Sequence, residues 1–159
     1  MLVVGCGCRG RALAAGLREA GYAVRGTTRD AARVDAIEAA GAEGVVADPD
    51  RLATLTPCLE GVSVVCWLMG TLGGDAQAEA ALHGSRLESL LGTLVDTPVR
   101  GFVYEGSGSV AGLLLEEGAA LAQRAADVHR IPVRVVTESP AQHERWLAAT
   151  KGAVAELLA

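Results

Sequence analysis

The residues with the clearest chemical potential lie at the start of the chain. Gly5-Cys6-Gly7-Cys8-Arg9-Gly10 spells G-x-G-x-x-G and follows the short apolar run Leu2-Val3-Val4. A helical pattern begins directly after it. Alone, such a hexapeptide is a weak signal; between a strand and a helix it has the context its chemistry needs. Gly5 permits a tight turn, Gly7 leaves space for a pyrophosphate, and Gly10 allows close packing of helix on sheet. The free N–H groups and positive dipole end of the helix that Cys8 and Arg9 lead into suit an anion. The turn is therefore a candidate dinucleotide site, and a glycine turn without a ligand is the plainer alternative.

A second group lies at the end of the next strand, Gly26-Thr27-Thr28-Arg29. An acid there would accept from a ribose 2′-OH, as NAD requires. No acid stands at the tip, and Asp30 fits better as a helix N-cap. Thr28 and Arg29 offer a hydroxyl and a guanidinium, which suit a 2′-phosphate. Arg9 would add a second positive charge on the same side. The expected cofactor is NADP, with NAD possible. A third group is Glu105 with Ser107 and Ser109, at the carboxyl end of a later strand, where open α/β sheets present working residues. A shielded carboxyl there would have a raised pKa and could act as acid or base; a solvated loop carboxylate is the alternative.

Other polar residues carry less. Cys6 and Cys8 stand at a helix N-terminus, which could depress a thiol pKa, or they simply fill the turn. His83, His129 and His143 fall on different helices and read as surface residues without ligand spacing. His143-Glu144 is not HExxH, because position 147 is leucine. No metal site and no Ser-His-Asp arrangement can be assigned.

These groups need a scaffold. Short apolar runs alternate with amphipathic segments. Strands are expected at Leu2–Val4, Tyr22–Gly26, Gly44–Ala47, Val62–Leu68, Gly101–Tyr104 and Val133–Val136. Helices are expected over Arg9–Ala20, with Leu13, Leu17 and Ala20 inward, and over Ala31–Ala40, with Val34 and Ile37 inward. Asp48-Pro49 reads as a helix start, and Leu87, Leu90, Leu91, Leu94 and Val95 give another helical period. Leu113–His129 is a further helix, and Ser139-Pro140-Ala141-Gln142 is a capping box opening the last one. Strict alternation of six apolar strands with six helices implies an α/β, doubly wound parallel sheet, Rossmann-like, of order 3-2-1-4-5-6. No linker or repeat interrupts it, so residues 1–159 form one domain.

Composition narrows the partners. Of 159 residues, 50% are hydrophobic, which suffices for a packed core and excludes disorder. The net charge of −5 and an aromatic content of 3% argue against nucleic acid. No run of about 18 apolar residues and no signal sequence occur, so no membrane partner is expected. Cys6, Cys8, Cys58 and Cys66 lack a disulfide pattern, and reduced thiols in a cytoplasmic protein are the expectation. The alanine- and leucine-rich segments Ala76–Val95 and Leu113–Val128 carry more apolar surface than one sheet face needs, so a homodimer through them is expected.

The chain resembles the extended and atypical short-chain dehydrogenase/reductase group, the NAD-dependent epimerase/dehydratase type. The residues that carry the likeness are Gly5–Gly10, Gly26-Thr27-Thr28-Arg29, Val46-Ala47-Asp48 and Val103-Tyr104-Glu105-Gly106-Ser107-Gly108-Ser109-Val110. The resemblance implies that Asp48 lies near the adenine. It also implies that Leu68-Met69-Gly70-Thr71-Leu72-Gly73-Gly74 runs along the cofactor, its glycines allowing close approach. The family's Tyr-x-x-x-Lys pair does not carry over. Its positions fall near Leu115 and Ala119, no tyrosine follows Tyr104, and the one lysine is Lys151. Ser107 or Ser109 can stand for the family's hydroxyl. The resemblance also implies a further segment that closes over substrate, which is not expected after the last helix here, and Thr137-Glu138-Ser139-Pro140 lacks the family's Arg-Pro pair.

Two readings follow. The first is an NAD(P)(H)-binding protein, catalytically atypical or inactive, serving as a sensor, regulatory module or subunit. The second is an NADP-dependent oxidoreductase or epimerase-like enzyme acting on a small molecule, with Glu105, Ser107 or a partner chain handling the proton. A structural module that has lost its cofactor is disfavoured by the intact glycine turn.

Overall fold

A computed structural model describes residues 1–71 and 73–159. Six strands form one parallel sheet: β1 (Leu2–Val4), β2 (Arg25–Thr28), β3 (Glu43–Val46), β4 (Val64–Trp67), β5 (Gly101–Glu105) and β6 (Val133–Val136). Their order is β3-β2-β1-β4-β5-β6, the doubly wound order expected. The helices are α1 (Cys8–Glu19), α2 (Val34–Ala39), α3 (Leu52–Leu55), α4 (Ala76–His83), α5 (Ser85–Leu94), α6 (Gly112–His129) and α7 (His143–Leu158). Short 3-10 turns over Ala31–Arg33 and Thr56–Leu59 join α2 and α3 respectively.

Alternation along the strands sorts side chains into two layers. Leu2, Val4, Val65, Trp67, Phe102 and Tyr104 face a core shared with Leu87, Leu90, Leu91 and Leu94 of α5 and Ala122 of α6. Val3, Val64, Cys66 and Val103 face the other, shared with Leu13 and Leu17 of α1, Ile37 of α2, and Trp146 and Val154 of α7. Because β1 is flanked by β2 and β4, the chain leaves the sheet in opposite directions on its two sides. The end of β1 is therefore the switch point where such sheets form a crevice.

Several local expectations shift. β2 begins at Arg25 rather than Tyr22, because pairing with β1 and β3 runs through Arg25 and Gly26. Asp48-Pro49 does not start a helix: α3 begins at Leu52, and the Asp48 carboxylate accepts from the Asp50 N–H at 3.0 Å in a local turn. Ser139 likewise accepts from the Ala141 N–H at 3.3 Å, and α7 starts only at His143. Ala20 is exposed at the end of α1, and Val34 is half-buried. Of the apolar surface expected over 76–95 and 113–128, Val95, Leu113 and Val128 are the large side chains that stay exposed. The leucines of α5 turn inward, and its outer face carries Ser85, Arg86, Glu88 and Ser89. The outer face of α6 carries Glu116, Glu117, Arg124 and Asp127, with Leu113 and Val128 as isolated exposed apolar residues. Among the described residues, no helix is long and apolar enough to cross a membrane.

Gly118 sets the distance between α6 and the sheet, because a Cβ there would overlap the Tyr104 hydroxyl. Gly152, exposed within α7, has nothing within 4 Å of its Cβ position. Gly118→Ala should therefore lower unfolding free energy by about 1–3 kcal/mol through overpacking. Gly152→Ala should raise it by about 0.5–1 kcal/mol through helix propensity. Urea titration of both variants checks the pair; equal effects would contradict the packing assigned to Gly118.

Candidate functional site

The β1–α1 turn is built from backbone. Gly5 adopts φ +86°, and a Cβ there would stand 2.6 Å from the Leu68 carbonyl oxygen. That combination of left-handed conformation and close approach admits only glycine. A Cβ at Gly10 would lie 2.8 Å from the Gly5 carbonyl oxygen, so helix and turn are in direct backbone contact. At Gly7 the same construction meets nothing within 4 Å. Gly7 is the N-cap of α1, without a side-chain cap, and no acid stands in the first turn. The leading N–H groups of α1 thus keep their capacity to donate, and the space in front of Gly7 is open.

That space belongs to a cleft of about 480 Å³. One end is formed at the tip of β2 by Thr28, Arg29, Asp30 and Arg33. The glycine turn, with Cys8 and Arg9, forms the middle. Leu68, Met69, Thr71 and Trp146 form the other end. Leu72, read with this segment in the sequence, lies outside the described residues.

The sequence candidates distribute unevenly. Arg29 is exposed and, among the described residues, has no ion pair. Thr28 receives the Asp30 N–H on its hydroxyl at 3.2 Å, and Asp30 caps the following turn through the Ala32 N–H at 3.0 Å. Arg33 joins them, 3.6 Å from the Asp30 carboxylate. The sequence reading missed it; its position four residues after Arg29, at the end of a turn capped by Asp30, was the available signal. Asp48 does not line the cleft, where Ala47 and Pro49 stand instead. Gly70 does not line it either: the space its Cβ would take is filled by the Ser107 carbonyl and the Glu105 side chain. Its glycine serves packing against the end of β5 rather than an open approach.

Arg9 turns away from β2. Its guanidinium donates to the Thr71 hydroxyl, stands 3.9 Å from Glu105 Oε1, and lies 5.7 Å from the centre of the Trp146 ring. A second positive charge beside Arg29 is thus supplied by Arg33, not by Arg9. Glu105 is not a loop carboxylate at the cleft mouth but the last residue of β5, 1% exposed. Its Oε2 accepts the Gly70 N–H at 2.8 Å. Burial pushes its pKa up, opposed by the Gly70 N–H, the Arg9 charge and the Trp146 indole facing it. Among the described residues, Oε1 and the indole Nε1 stop short of hydrogen-bond geometry with any group. Ser107 and Ser109 do not line the cleft, so the polar cluster expected of Glu105, Ser107 and Ser109 is not assembled there.

Of the remaining candidates, Cys6 and His83 settle in the core, while Cys8 and His143 are exposed. Burial raises Cys6 to about 11 and Cys66 to about 12, which removes both as thiolates. His83 is a buried residue, not a surface one: 2% exposed, with Nδ1 2.6 Å from the Tyr104 hydroxyl. Leu115 is buried and Ala119 packs against the same core, so α6 presents no proton carrier at those positions. Among the described residues no group of His, Cys, Asp or Glu is arranged to hold a metal ion.

No protein-family model matches the chain, and no curated protein matches its sequence. Solved structures do share its fold. BdcA from E. coli is 16% identical over 95% of this chain and 87% of its own, with a TM-score of 0.74. Citrobacter sp. triphenylmethane reductase, solved with NADP(H), is 17% identical over 86% of this chain and 48% of its own, with a TM-score of 0.64. UDP-glucuronic acid 4-epimerase from Bacillus cereus, solved with NAD, is 18% identical over 86% and 54%, with a TM-score of 0.66. The chain spans about half the length of the reductase and the epimerase. At these identities the likeness is one of fold, the Rossmann-like sheet the sequence implies.

Glu105 makes stability depend on pH in a defined direction. A carboxyl whose pKa rises on folding contributes fully below its unfolded value, about 4.3, and that contribution is lost as pH rises through the folded value. Glu105→Gln has no such loss. Unfolding free energy of the variant minus that of the parent should therefore increase from about pH 4 to about pH 7. Parallel urea titrations test this; a flat or falling difference would contradict the buried state of the carboxyl.

Proposed function

We propose that the chain is an NAD(P)(H)-binding module that holds the dinucleotide pyrophosphate at the Gly5–Gly10 turn. One observation carries this reading. Gly5 and Gly10 are closed by backbone contacts while Gly7 faces open space before an uncapped helix. A turn that needed glycine only for packing would have no reason to leave that position open.

Each end of the cleft has its own task. The first-turn N–H groups of α1 receive phosphate oxygens, aided by the helix dipole. Arg29 and Arg33 stand where a ribose 2′-phosphate is within reach of the β2 tip, which favours NADP(H). The alcove of Leu68, Met69, Thr71 and Trp146 receives the other half of the molecule. A bound nicotinamide would supply hydride chemistry. The chain's own residues supply little proton chemistry beside it. On the resemblance, the family's tyrosine and lysine positions fall near Leu115 and Ala119, and neither Glu105 nor Ser107 lines the cleft. The reading is thus of a binding or sensing module rather than a self-sufficient Tyr/Lys dehydrogenase. The likeness of fold to a reductase solved with NADP(H) and an epimerase solved with NAD supports the dinucleotide class.

Calorimetric titration at fixed salt tests the assignment. An exposed guanidinium is screened, so its phosphate contact contributes at the low end of the charge-assisted range, and NADP(H) should bind about tenfold tighter than NAD(H). Arg29→Ala should remove most of that preference and leave NAD(H) affinity nearly unchanged. Gly7→Val should weaken both, because its side chain enters the open space. Tighter binding of NAD(H) by the parent would refute the role of Arg29. Unchanged affinities in Gly7→Val would refute the pyrophosphate site.

A further inference from the structure

The peptide unit between Met69 and Gly70, just beyond β4, is gripped at both ends by buried titratable side chains. Its N–H donates to Glu105 Oε2 at 2.8 Å, and its carbonyl oxygen lies 3.2 Å from His83 Nε2. A carbonyl only accepts, so Nε2 carries the proton and Nδ1 of the neutral ring must accept. Its partner is the Tyr104 hydroxyl, 2.6 Å away, whose single proton the Leu115 carbonyl oxygen also faces, at the longer distance of 3.3 Å. Burial lowers the His83 pKa, in keeping with a neutral ring. The next carbonyl, that of Gly70, accepts the Val110 N–H at 3.0 Å. A Cβ at Gly70 would overlap the Ser107 carbonyl and stand 3.1 Å from Glu105 Oε2, so the backbone approaches the end of β5 at a distance only glycine allows.

This grip is costly for packing alone. Two polar side chains are taken out of water where apolar residues of similar volume would fill the space without desolvation. Neither Glu105 nor His83 lines the cleft, but Met69 and Thr71, on either side of the gripped segment, do. Arg9, 3.9 Å from Glu105 Oε1, ties the same carboxylate to the first turn of α1. We propose that His83 and Glu105 are positioning residues which hold the Met69–Gly70 peptide from opposite ends. They thereby fix the β4 end of the cleft for the half of the dinucleotide that lies beyond the pyrophosphate. The proposal rests on the dinucleotide reading for its consequence, while the grip itself stands on the side chains.

Two variants separate positioning from filling. Glu105→Gln keeps an oxygen that accepts the Gly70 N–H; Glu105→Met keeps the volume and loses the acceptor. The first readout needs no ligand: the Gly70 amide in a ¹⁵N–¹H spectrum should shift and lose exchange protection in Glu105→Met and stay close to the parent in Glu105→Gln. The second compares NADPH with adenosine 2′,5′-bisphosphate, which reaches only the β2 tip and the turn. Glu105→Met should bind NADPH about tenfold more weakly and the bisphosphate within about twofold of the parent, with Glu105→Gln restoring NADPH binding. An unchanged Gly70 amide in Glu105→Met would overturn the grip. Equal weakening of both ligands, or none of either, would overturn its action on the β4 end. If the parent bound neither ligand, the dinucleotide reading would fall and with it the proposed consequence, and the Gly70 amide would still decide the grip.

Discussion

The Leu68 carbonyl oxygen leaves no room for a side chain at Gly5, and the rest of the site follows from that contact. β1 and β4 are neighbours in the sheet, so the chain leaving β1 must turn under the exit of β4. A residue with a Cβ would push the two exits apart. With glycine the turn closes, Gly10 settles on the Gly5 carbonyl, and α1 starts with its first N–H groups directed at the crevice. The cleft is thus the space left over when two strand exits and a helix start are packed at backbone distance. Its polarity comes from the uncapped helix, and its walls come from whatever follows β2 and β4.

Those two walls differ in kind. At the β2 tip the residues are exposed, cationic and held locally, with Asp30 organising a turn that presents Arg29 and Arg33. At the β4 exit the wall is positioned from behind by buried residues of α4 and β5. An exposed, screened surface suits selection of a charged group; a fixed, desolvated surface suits placement of a planar one. Arg9 joins the two halves of the molecule, reaching from the first turn of α1 to β5 and α7 through Glu105 and the Trp146 ring.

The sequence made the sheet order and the glycine turn legible because both rest on local pattern. Apolar runs, helical spacing and the roles of three glycines are all written within a few residues. Elements whose ends depend on distant pairing were less legible. The strand read over Tyr22–Gly26 lies three residues later, over Arg25–Thr28, because its bounds follow the pairing with β1 and β3 rather than the local apolar pattern. Asp48-Pro49 has the composition of a helix start, but the carboxylate is spent on its own turn. The place of Glu105 at a strand end makes a shielded carboxyl legible, but its partners Gly70 and Arg9 come from other parts of the chain and leave no local signal. His83 read as a surface residue since its helix is short and its hydroxyl partner belongs to β5. Long-range polar contacts of this kind leave no periodic trace.

The central claim is that Gly7 faces open space because a pyrophosphate belongs there. A crystal structure of the protein soaked with NADPH measures this directly. The account predicts phosphate density within hydrogen-bond distance of the leading N–H groups of α1, with the 2′-phosphate near Arg29 and Arg33 and the nicotinamide half beside Met69 and Thr71. Density for the dinucleotide elsewhere on the molecule, or a cleft holding only solvent at saturating ligand, would contradict it.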